Sequence, residues 1–184
     1  MQRNKALTIL KEHLKNKNLV KHCLAVEAIM RNLALKFNED IERWGLAGLL
    51  HDIDYDKIRD NMEQHSLLGA EMLKQMGLDE EICEAVKTHN KAHGLKPDSL
   101  MAKALYVADP ISGLIIASTL VLPNKKLNHL TPENVLNRFK EKRFAAGANR
   151  ETIAECQEML GLSLEEFTEI ALKAMQGISG ELEL

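Results

Sequence analysis

Histidine and aspartate residues within apolar helical patterns are the groups of this sequence best suited to chemistry. His51 and Asp52 are adjacent and follow the apolar run LAGLL, so the sequence places an imidazole and a carboxylate at the end of a buried helix. Asp109 lies within ALYVADPISGLIIA, which is otherwise almost entirely apolar. A buried carboxylate is strongly destabilising unless it is paired, so each of these groups needs a hydrogen bond, a counter-charge or a metal ion.

Three further histidines extend this pattern. His22 lies on the same helical stripe as Leu19 and Val26, and His65 and His89 lie within or at the end of predicted helices. Taken singly, each is explained by a satisfied core hydrogen bond or a helix cap as well as by function. One or two divalent metal ions would satisfy all the groups at once, which is more economical. The candidate ligands are His22, His51, Asp52, His65, His89 and Asp109.

Imidazole nitrogens and carboxylate oxygens without thiolates suit Fe, Mn, Co, Ni or Zn. Six groups fit two metals that share a carboxylate, or one six-coordinate metal with the remaining histidines around it. Two metals about 3.5–4 Å apart would clamp the attacking and leaving oxygens of a phosphoryl transfer. The cysteines, Cys23, Cys83 and Cys156, are far apart, so we expect buried free thiols and neither a disulfide nor a thiolate site.

Apolar residues recur at three- and four-residue steps, and this periodicity predicts an all-α fold. We expect a core over residues 1–122 that carries the metal site and a helical extension over 123–184 that packs on it. Asp40 is a candidate helix cap. Helices are predicted at 2–16, 18–37, 40–52, 63–76, 79–89, 99–119 with a break or kink at Pro110, 131–140, 149–160 and 163–176, with a loop at 53–62.

The charge balance argues against a nucleic-acid partner. The formal net charge is −3, which leaves no excess of positive charge to hold a phosphate backbone. The N-terminus has no signal-peptide core, and the most apolar stretch, 113–122, is too short to span a bilayer. We therefore expect a cytoplasmic protein with no nucleic-acid or membrane partner. A small anionic substrate is still possible, and the oligomeric state stays open.

The ordered residues His22, His51-Asp52 and Asp109 resemble the H…HD…D pattern of the HD-domain superfamily of metal-dependent phosphohydrolases. His65 in EQHSLLGAEML and His89 in AVKTHN resemble the two additional histidines of its two-metal members. The segment from His51 to Asp109 is similar to bacterial HD enzymes that split diadenosine tetraphosphate, but IDYD and Pro110 depart from them. A closer similarity is to predicted HD hydrolases that share HDIDYD, ADPISGLI and FAAGANRETI.

The resemblance implies a single HD-domain helical bundle with a helical C-terminal extension. It also implies hydrolysis of a small phosphate ester or anhydride, such as a nucleotide, by metal-bound hydroxide. A di-iron oxygenase on the same ligands and a non-catalytic metal or nucleotide sensor stay open as alternatives. Carried over by position, the first metal would bind His22, His51, Asp52 and Asp109, and the second would bind His65, His89 and the bridging Asp52.

Several other residues are candidates for catalysis or substrate binding. Asp52 and Asp54 are the catalytic candidates, and Asp54 and Asp56 could orient a ligand histidine or act as acid or base; a solvated polar turn is the alternative. The substrate-binding candidates are Lys57, Asn90, Arg143 and Arg150; the alternatives are a helix cap for Asn90 and solvated surface for the cations. Arg143 and Arg150 flank FAAGAN, whose small residues let the backbone approach a ligand.

Overall fold

A computed structural model describes residues 1–58 and 61–184, and the regular structure of these residues is entirely helical. The predicted all-α class is therefore confirmed. Short 3₁₀ turns occupy Met62–Gln64, Lys91–His93 and Leu127–His129. The α-helices are α1 Arg3–His13, α2 Lys17–Phe37, α3 Ile41–Leu50, α4 Leu67–Gln75, α5 Glu80–Thr88, α6 Leu100–Leu120, α7 Pro132–Lys140, α8 Arg150–Ala154, α9 Cys156–Leu160, α10 Leu164–Gln176 and α11 Ser179–Leu182.

Polar side chains fix where many of these helices begin. Asp40 accepts hydrogen bonds from the main-chain N–H groups of Glu42 and Arg43, so its predicted role as the cap of α3 is confirmed. Similar caps start α2, α5, α6 and α10, so local hydrogen bonds mark the starts of these core helices. The capping residues are Asn16, Asp79, Ser99 and Ser163.

The helix α6 is the apolar centre of the bundle and runs without interruption through Pro110. The predicted break at Pro110 is therefore wrong. Proline removes one hydrogen bond, to the carbonyl of Tyr106, and burial of the flanking residues Ala108 and Ile111 holds the helix together. The most apolar stretch was expected to cover only 113–122, which is too short to span a bilayer. The structure shows that the apolar helix is longer, and by length and composition alone α6 could cross a membrane, but most of it is buried inside the bundle.

Other boundaries differ from the prediction at places where the tertiary structure intervenes. The helix predicted from residue 63 begins at Leu67, because the chain from 62 to 66 turns to bring His65 inward. The helix predicted over 149–160 is divided at Glu155 into α8 and α9, and α11 was not predicted. The predicted loop at 53–62 forms turns as far as Lys57, while positions 59 and 60 lie outside the described residues.

The C-terminal helices pack on the same core as the N-terminal ones. Helix α10 contacts α2 and α6, and α8 and α9 contact α6. Phe167 and Met175 of α10 are fully buried within the cluster that includes Leu33 of α2 and Ile115 of α6. The division of the chain into a core over 1–122 and an extension over 123–184 stays a prediction. The cysteines are all free and buried, as expected.

Helices α2 and α3 approach each other closely at Gly48. A Cβ atom at this position would lie 2.9 Å from the Cα and the N of Glu27 and 2.9 Å from the carbonyl oxygen of Val26. Such distances to backbone atoms cannot be relieved by a side-chain rotation. Glycine at this position therefore brings α3, and with it His51, next to His22 on α2.

We predict that Gly48→Ala lowers the free energy of unfolding by about 1–3 kcal/mol, because the helices must move apart. Urea denaturation followed by circular dichroism measures this change. Gly113→Ala is the matched control, because a Cβ atom there meets nothing within 4 Å in the middle of α6. That substitution should be neutral or stabilise by up to about 1 kcal/mol. Equal stability of the two variants would contradict the close approach.

Candidate metal centre

Six side chains from separate parts of the sequence converge inside the bundle. All are the predicted ligands, and each lies in a helix or next to a helix end. They are His22 in α2, His51 directly after α3, Asp52 next to it, His65 before α4, His89 directly after α5, and Asp109 in α6.

Asp52 is at the centre of this cluster. Its Oδ1 atom lies 3.3 Å from Nε2 of His51, 3.3 Å from Nε2 of His65 and 3.6 Å from Nε2 of His89. Its Oδ2 atom lies 3.6 Å from Nε2 of His22. The two oxygens of one buried carboxylate therefore face different histidines, as a bridging ligand would.

Two overlapping groups of ligand atoms are compact enough to hold an ion. His22, His51 and Asp109 form one group, in which Asp109 Oδ1 lies 3.0 Å from Nε2 of His22 and 3.8 Å from Nε2 of His51. His51, Asp52 and His89 form the other, and within each group the ligand atoms lie within 4.8 Å of one another. His51 belongs to both groups. His65 joins the cluster through Asp52, and its ring centroid lies 5.1 Å from that of His89.

The outer nitrogens of two histidines are held by main-chain carbonyls. His51 Nδ1 lies 2.8 Å from the carbonyl oxygen of Gly48, and His89 Nδ1 lies 2.6 Å from that of Val86. A carbonyl oxygen can only accept, so each Nδ1 carries the proton and donates it. In the neutral ring, the lone pair of Nε2 then points into the cluster, which is the form that binds a metal.

The other two histidines are held by side chains. His22 Nδ1 lies 3.0 Å from Oγ of Ser112, which itself donates to the carbonyl oxygen of Asp109 and so accepts from His22. His65 Nδ1 lies 3.0 Å from Oδ1 of Asp54. As a result, all four Nε2 atoms face the cluster. Those of His22 and His51 are only 3.1 Å apart, where two lone pairs repel unless a proton or a cation lies with them.

These donors fit a divalent transition metal: imidazole nitrogens with fixed tautomers, two carboxylates and no thiolate. The ionisation states of the cluster residues agree with a metal site. Burial lowers the pKa of His51 to about 4, so this imidazole is neutral at neutral pH. Burial opposes ionisation of Asp52, but the neighbouring histidines outweigh it and hold the pKa of Asp52 well below its usual range. Burial likewise opposes ionisation of Asp109, but the hydrogen bond from His22 lowers its pKa.

The cluster faces a cavity of about 530 Å³. One side is formed by cluster residues, the two residues after His89 and other residues of α6, and the other side by residues 145–152 of the C-terminal part. The lining residues are His22, His65, His89, Asn90, Lys91, Tyr106, Asp109, Pro110, Gly113, Ala145, Gly147, Ala148, Asn149 and Thr152.

The family profile of the HD domain matches residues 19–114, which is more than half of the chain and includes all six candidate ligands. The chain belongs to the HD-domain family. HD domains are metal-dependent hydrolases as a superfamily, which agrees with the ligand cluster. The wall at residues 145–152 lies outside the HD match.

Relatives of this HD-domain protein include ribonuclease Y of Lawsonia intracellularis, which is 32% identical over 139 residues, 73% of this chain and 26% of the relative. Ribonuclease Y of Nitratidesulfovibrio vulgaris is 30% identical over 139 residues, 74% of this chain and 26% of the relative. The uncharacterised protein MJ0778 of Methanocaldococcus jannaschii is 37% identical over 105 residues, 54% of this chain and 60% of the relative. The chain thus spans about a quarter of the ribonucleases.

Asp54, a catalytic candidate from the sequence, is a positioning residue of the HD site in the structure. It is fully buried and does not line the cavity. Its Oδ1 accepts from His65, and its Oδ2 accepts from the N–H groups of Ser66 at 2.8 Å and Gly69 at 2.9 Å. Both oxygens thus accept hydrogen bonds that orient His65 and cap α4, while the acid–base role of Asp54 stays a prediction. Asp56 is further out and accepts from the N–H of Lys15.

The substrate-binding candidates are divided by the structure. Asn90 lines the HD cavity, and its side chain also donates to the carbonyl oxygen of His65. Lys57 and Arg143 are exposed and do not line it, so the structure gives them no contact with the site. Arg150 is also outside the lining, because its guanidinium is used by three main-chain carbonyls. A sequence does not show whether an arginine faces a ligand or its own backbone.

Sequence reasoning missed four residues of the site. Ser112 orients His22, and its position one turn after Asp109 on the same helix is a signal that could have found it. Tyr106 lies one turn before Asp109 and lines the cavity by the same periodicity. Lys91 directly follows Asn90, whereas Thr152 reaches the cavity from a distant segment and left no local signal.

We predict that Asp54→Asn weakens metal binding about 10–100-fold, because it removes the charged acceptor that orients His65. Metal titration of the purified variant measures the affinity. Asp56→Asn is the matched control: Asp56 is close in sequence but contacts Lys15 outside the cluster. A metal affinity of Asp54→Asn equal to that of the control would show that His65 does not depend on Asp54.

We predict that metal binding releases a proton from His65. Burial opposes the charge of His65, but hydrogen bonds to Asp52 and Asp54 outweigh it and raise its pKa to about 10. The metal-free imidazole is therefore protonated at neutral pH and must lose its proton to bind, so affinity rises with pH up to this pKa. Calorimetric titration with Mn²⁺ in buffers of different ionisation enthalpy measures the release.

The variant His65→Gln should release fewer protons on metal binding than the parent, whereas His129→Gln, on an exposed turn, should release as many as the parent. A heat of binding that does not vary with the buffer in the parent protein would contradict the protonated state of His65.

Proposed function

We propose that this HD-domain protein is a metal-dependent phosphohydrolase that cleaves an ester or anhydride bond in a small phosphorylated substrate such as a nucleotide. The observation that carries the proposal is the convergence of four imidazole Nε2 atoms and two carboxylates at one side of a cavity. The centre would hold one or two divalent ions, from Fe, Mn, Co, Ni or Zn. When bound, such an ion lowers the pKa of a coordinated water to near neutrality and neutralises phosphate charge.

The chain supplies the positions of the reacting groups. His22, His51 and Asp109 would hold one ion, with Ser112 fixing the ring of His22. Asp52 would be shared with a second position that His89 and His65 complete. Asp109 and His22 are the ligands with partly exposed side chains, 32% and 20%, so this side of the centre is open to substrate. Asn90 and Lys91 lie next to it on the cavity wall and would contact the phosphate.

The size of the cavity favours a small substrate. Ligand pockets range over about 300–1,000 Å³, and the cavity of about 530 Å³ lies within this range. Residues 145–152 cover the side opposite the metal centre, and the chain has a net charge of −3. We therefore propose a free small molecule as substrate, a cytoplasmic location, and no nucleic-acid or membrane partner.

A phosphodiester in RNA is the second candidate substrate. It is favoured by the identity of 32% to a protein named ribonuclease Y. The reaction would use the same ligands, and only access to the centre would differ. A di-iron oxygenase or a metal sensor on the same ligands would be distinguished by its lack of phosphate release.

The test measures phosphate or nucleotide release from nucleoside mono-, di- and triphosphates and from a short RNA, with Mn²⁺, Co²⁺, Ni²⁺, Fe²⁺, Zn²⁺ or Mg²⁺ in turn. Metal analysis of the protein as purified shows which element is present. We expect turnover of a small phosphorylated compound in at least one combination. Metal bound without any release in all combinations would overturn the proposal, and oxygen-dependent turnover would replace it with the oxygenase.

We predict that Asp52→Ala abolishes turnover and lowers the metal content, because Asp52 faces four histidines at the cluster centre. Circular dichroism should show unchanged helicity. Glu169→Ala, on the exposed face of α10, removes a carboxylate elsewhere and should leave both properties unchanged. An Asp52→Ala protein that binds metal and turns over like the parent would disprove the assignment of the centre.

A further inference from the structure

The guanidinium of Arg150 donates hydrogen bonds to three carbonyl groups of the loop that precedes α8. Its Nη1 donates to the carbonyl oxygens of Ala145 at 2.5 Å and Ala148 at 2.8 Å, and its Nη2 donates to that of Phe144. The peptide bonds are all trans. In a trans peptide the N–H points opposite to the C=O, so the amide group that follows each of these carbonyls points away from the guanidinium.

These amide groups belong to Ala145, Ala146 and Asn149. In the part of the chain that the structure describes, none of them donates a hydrogen bond, and neither does the amide of Gly147. Ala145 has a φ of 45°, and turns with a left-handed residue and several free amides commonly bind anions. Ala145, Gly147 and Asn149 line the cavity that holds the metal ligands.

Thr152 is a second, independent sign of a ligand at this place. The residue is 4% exposed and lines the same cavity. Its hydroxyl is shielded from solvent and has no hydrogen-bond partner among the described residues. A buried hydroxyl without a partner is destabilising, so this group calls for an acceptor that the protein itself does not supply.

Lys91 adds a positive charge at the edge of this wall. Of the described residues that line the cavity, Lys91 alone is a lysine or arginine. Its ammonium lies 3.5 Å from Glu151 and 3.7 Å from Glu155. The side-chain oxygen of Asn149 is occupied, because it accepts from the N–H of Thr152. The hydrogen-bond donors left free at this loop include the amides of residues 145, 146, 147 and 149, together with the hydroxyl of Thr152, and such donors suit an oxygen-rich anion.

We propose that residues 145–149 and Thr152, here called the C-terminal wall, bind a second phosphoryl group of the substrate while the reacting phosphate lies at the metal centre. The substrate class is then a compound with two phosphoryl groups, such as a nucleoside diphosphate. Arg150 is a positioning residue that turns the amides of the wall toward the anion. This inference rests on the proposed phosphohydrolase function for the identity of the reacting group.

The test is a titration of the ¹⁵N-labelled, metal-free full chain with inorganic phosphate, followed by amide chemical shifts. We expect saturable shifts of the amide signals of residues 145–149. Shifts confined to residues around His22 and His65, or no saturable shifts at all, would overturn the proposal. The metal-free protein is used so that phosphate has no ion to bind.

Variants separate positioning from simple charge. Arg150→Lys keeps the positive charge but loses the fork that holds three carbonyls, and we expect the phosphate dissociation constant to rise about tenfold. Thr152→Val, which leaves the loop and Arg150 in place, should weaken binding by a smaller factor and keeps the proposal testable if Arg150→Lys does not fold. Lys140→Met, at the exposed end of α7, is the charge control. If Arg150→Lys and Thr152→Val both bind phosphate with the dissociation constant of the parent, the proposed anion site at the C-terminal wall is refuted.

The titration needs no turnover, so the two proposals fail separately. Phosphate binding at residues 145–149 without hydrolysis of any compound would support the anion site at the C-terminal wall and contradict the proposed phosphohydrolase function. Hydrolysis without amide shifts at these residues would support the phosphohydrolase function and contradict the anion site at the C-terminal wall.

Discussion

A single buried carboxylate sets the demands that the rest of this bundle meets. Asp52 is 5% exposed and faces the Nε2 atoms of four histidines. In the interior such a group is tolerated only with positive charge nearby, so every helix around it supplies an imidazole or an anchor for one. The close approach of α2 and α3 at Gly48 and the cap of α4 by Asp54 are both consequences of this requirement.

The sequence predicted the helices and the members of the cluster because both depend on local pattern. Apolar periodicity predicts a helix wherever it is sustained, and His22 or Asp109 within such a pattern is conspicuous because burial of a polar group needs a reason. The tautomers were out of reach, because two of the partners are main-chain carbonyls at Gly48 and Val86, which carry no sequence signal. The effect of Pro110 was predicted wrongly, because the packing of α6 in the bundle, and not the local preference of proline, decides whether the helix continues.

The roles of cationic residues were the hardest to predict. Arg150 was expected to contact substrate, and its guanidinium instead organises the backbone of a loop that lines the cavity. Both roles need the same residue type beside the same small residues, so only the three-dimensional arrangement separates them. Thr152 was missed for a related reason: it lines the cavity because α8 packs on α6, across a sequence distance that no periodicity spans.

Two of the histidines also end the helices that they follow. His51 and His89 each come directly after the last residue of α3 and α5, and each ring donates to a carbonyl three residues earlier. Carbonyls in the last turn of a helix lack main-chain partners, so the imidazole takes the place of the missing donor. One bond thus satisfies a carbonyl of the last helical turn and selects which ring nitrogen is left without a proton. At these positions the secondary structure and the coordination chemistry cannot be changed independently of each other.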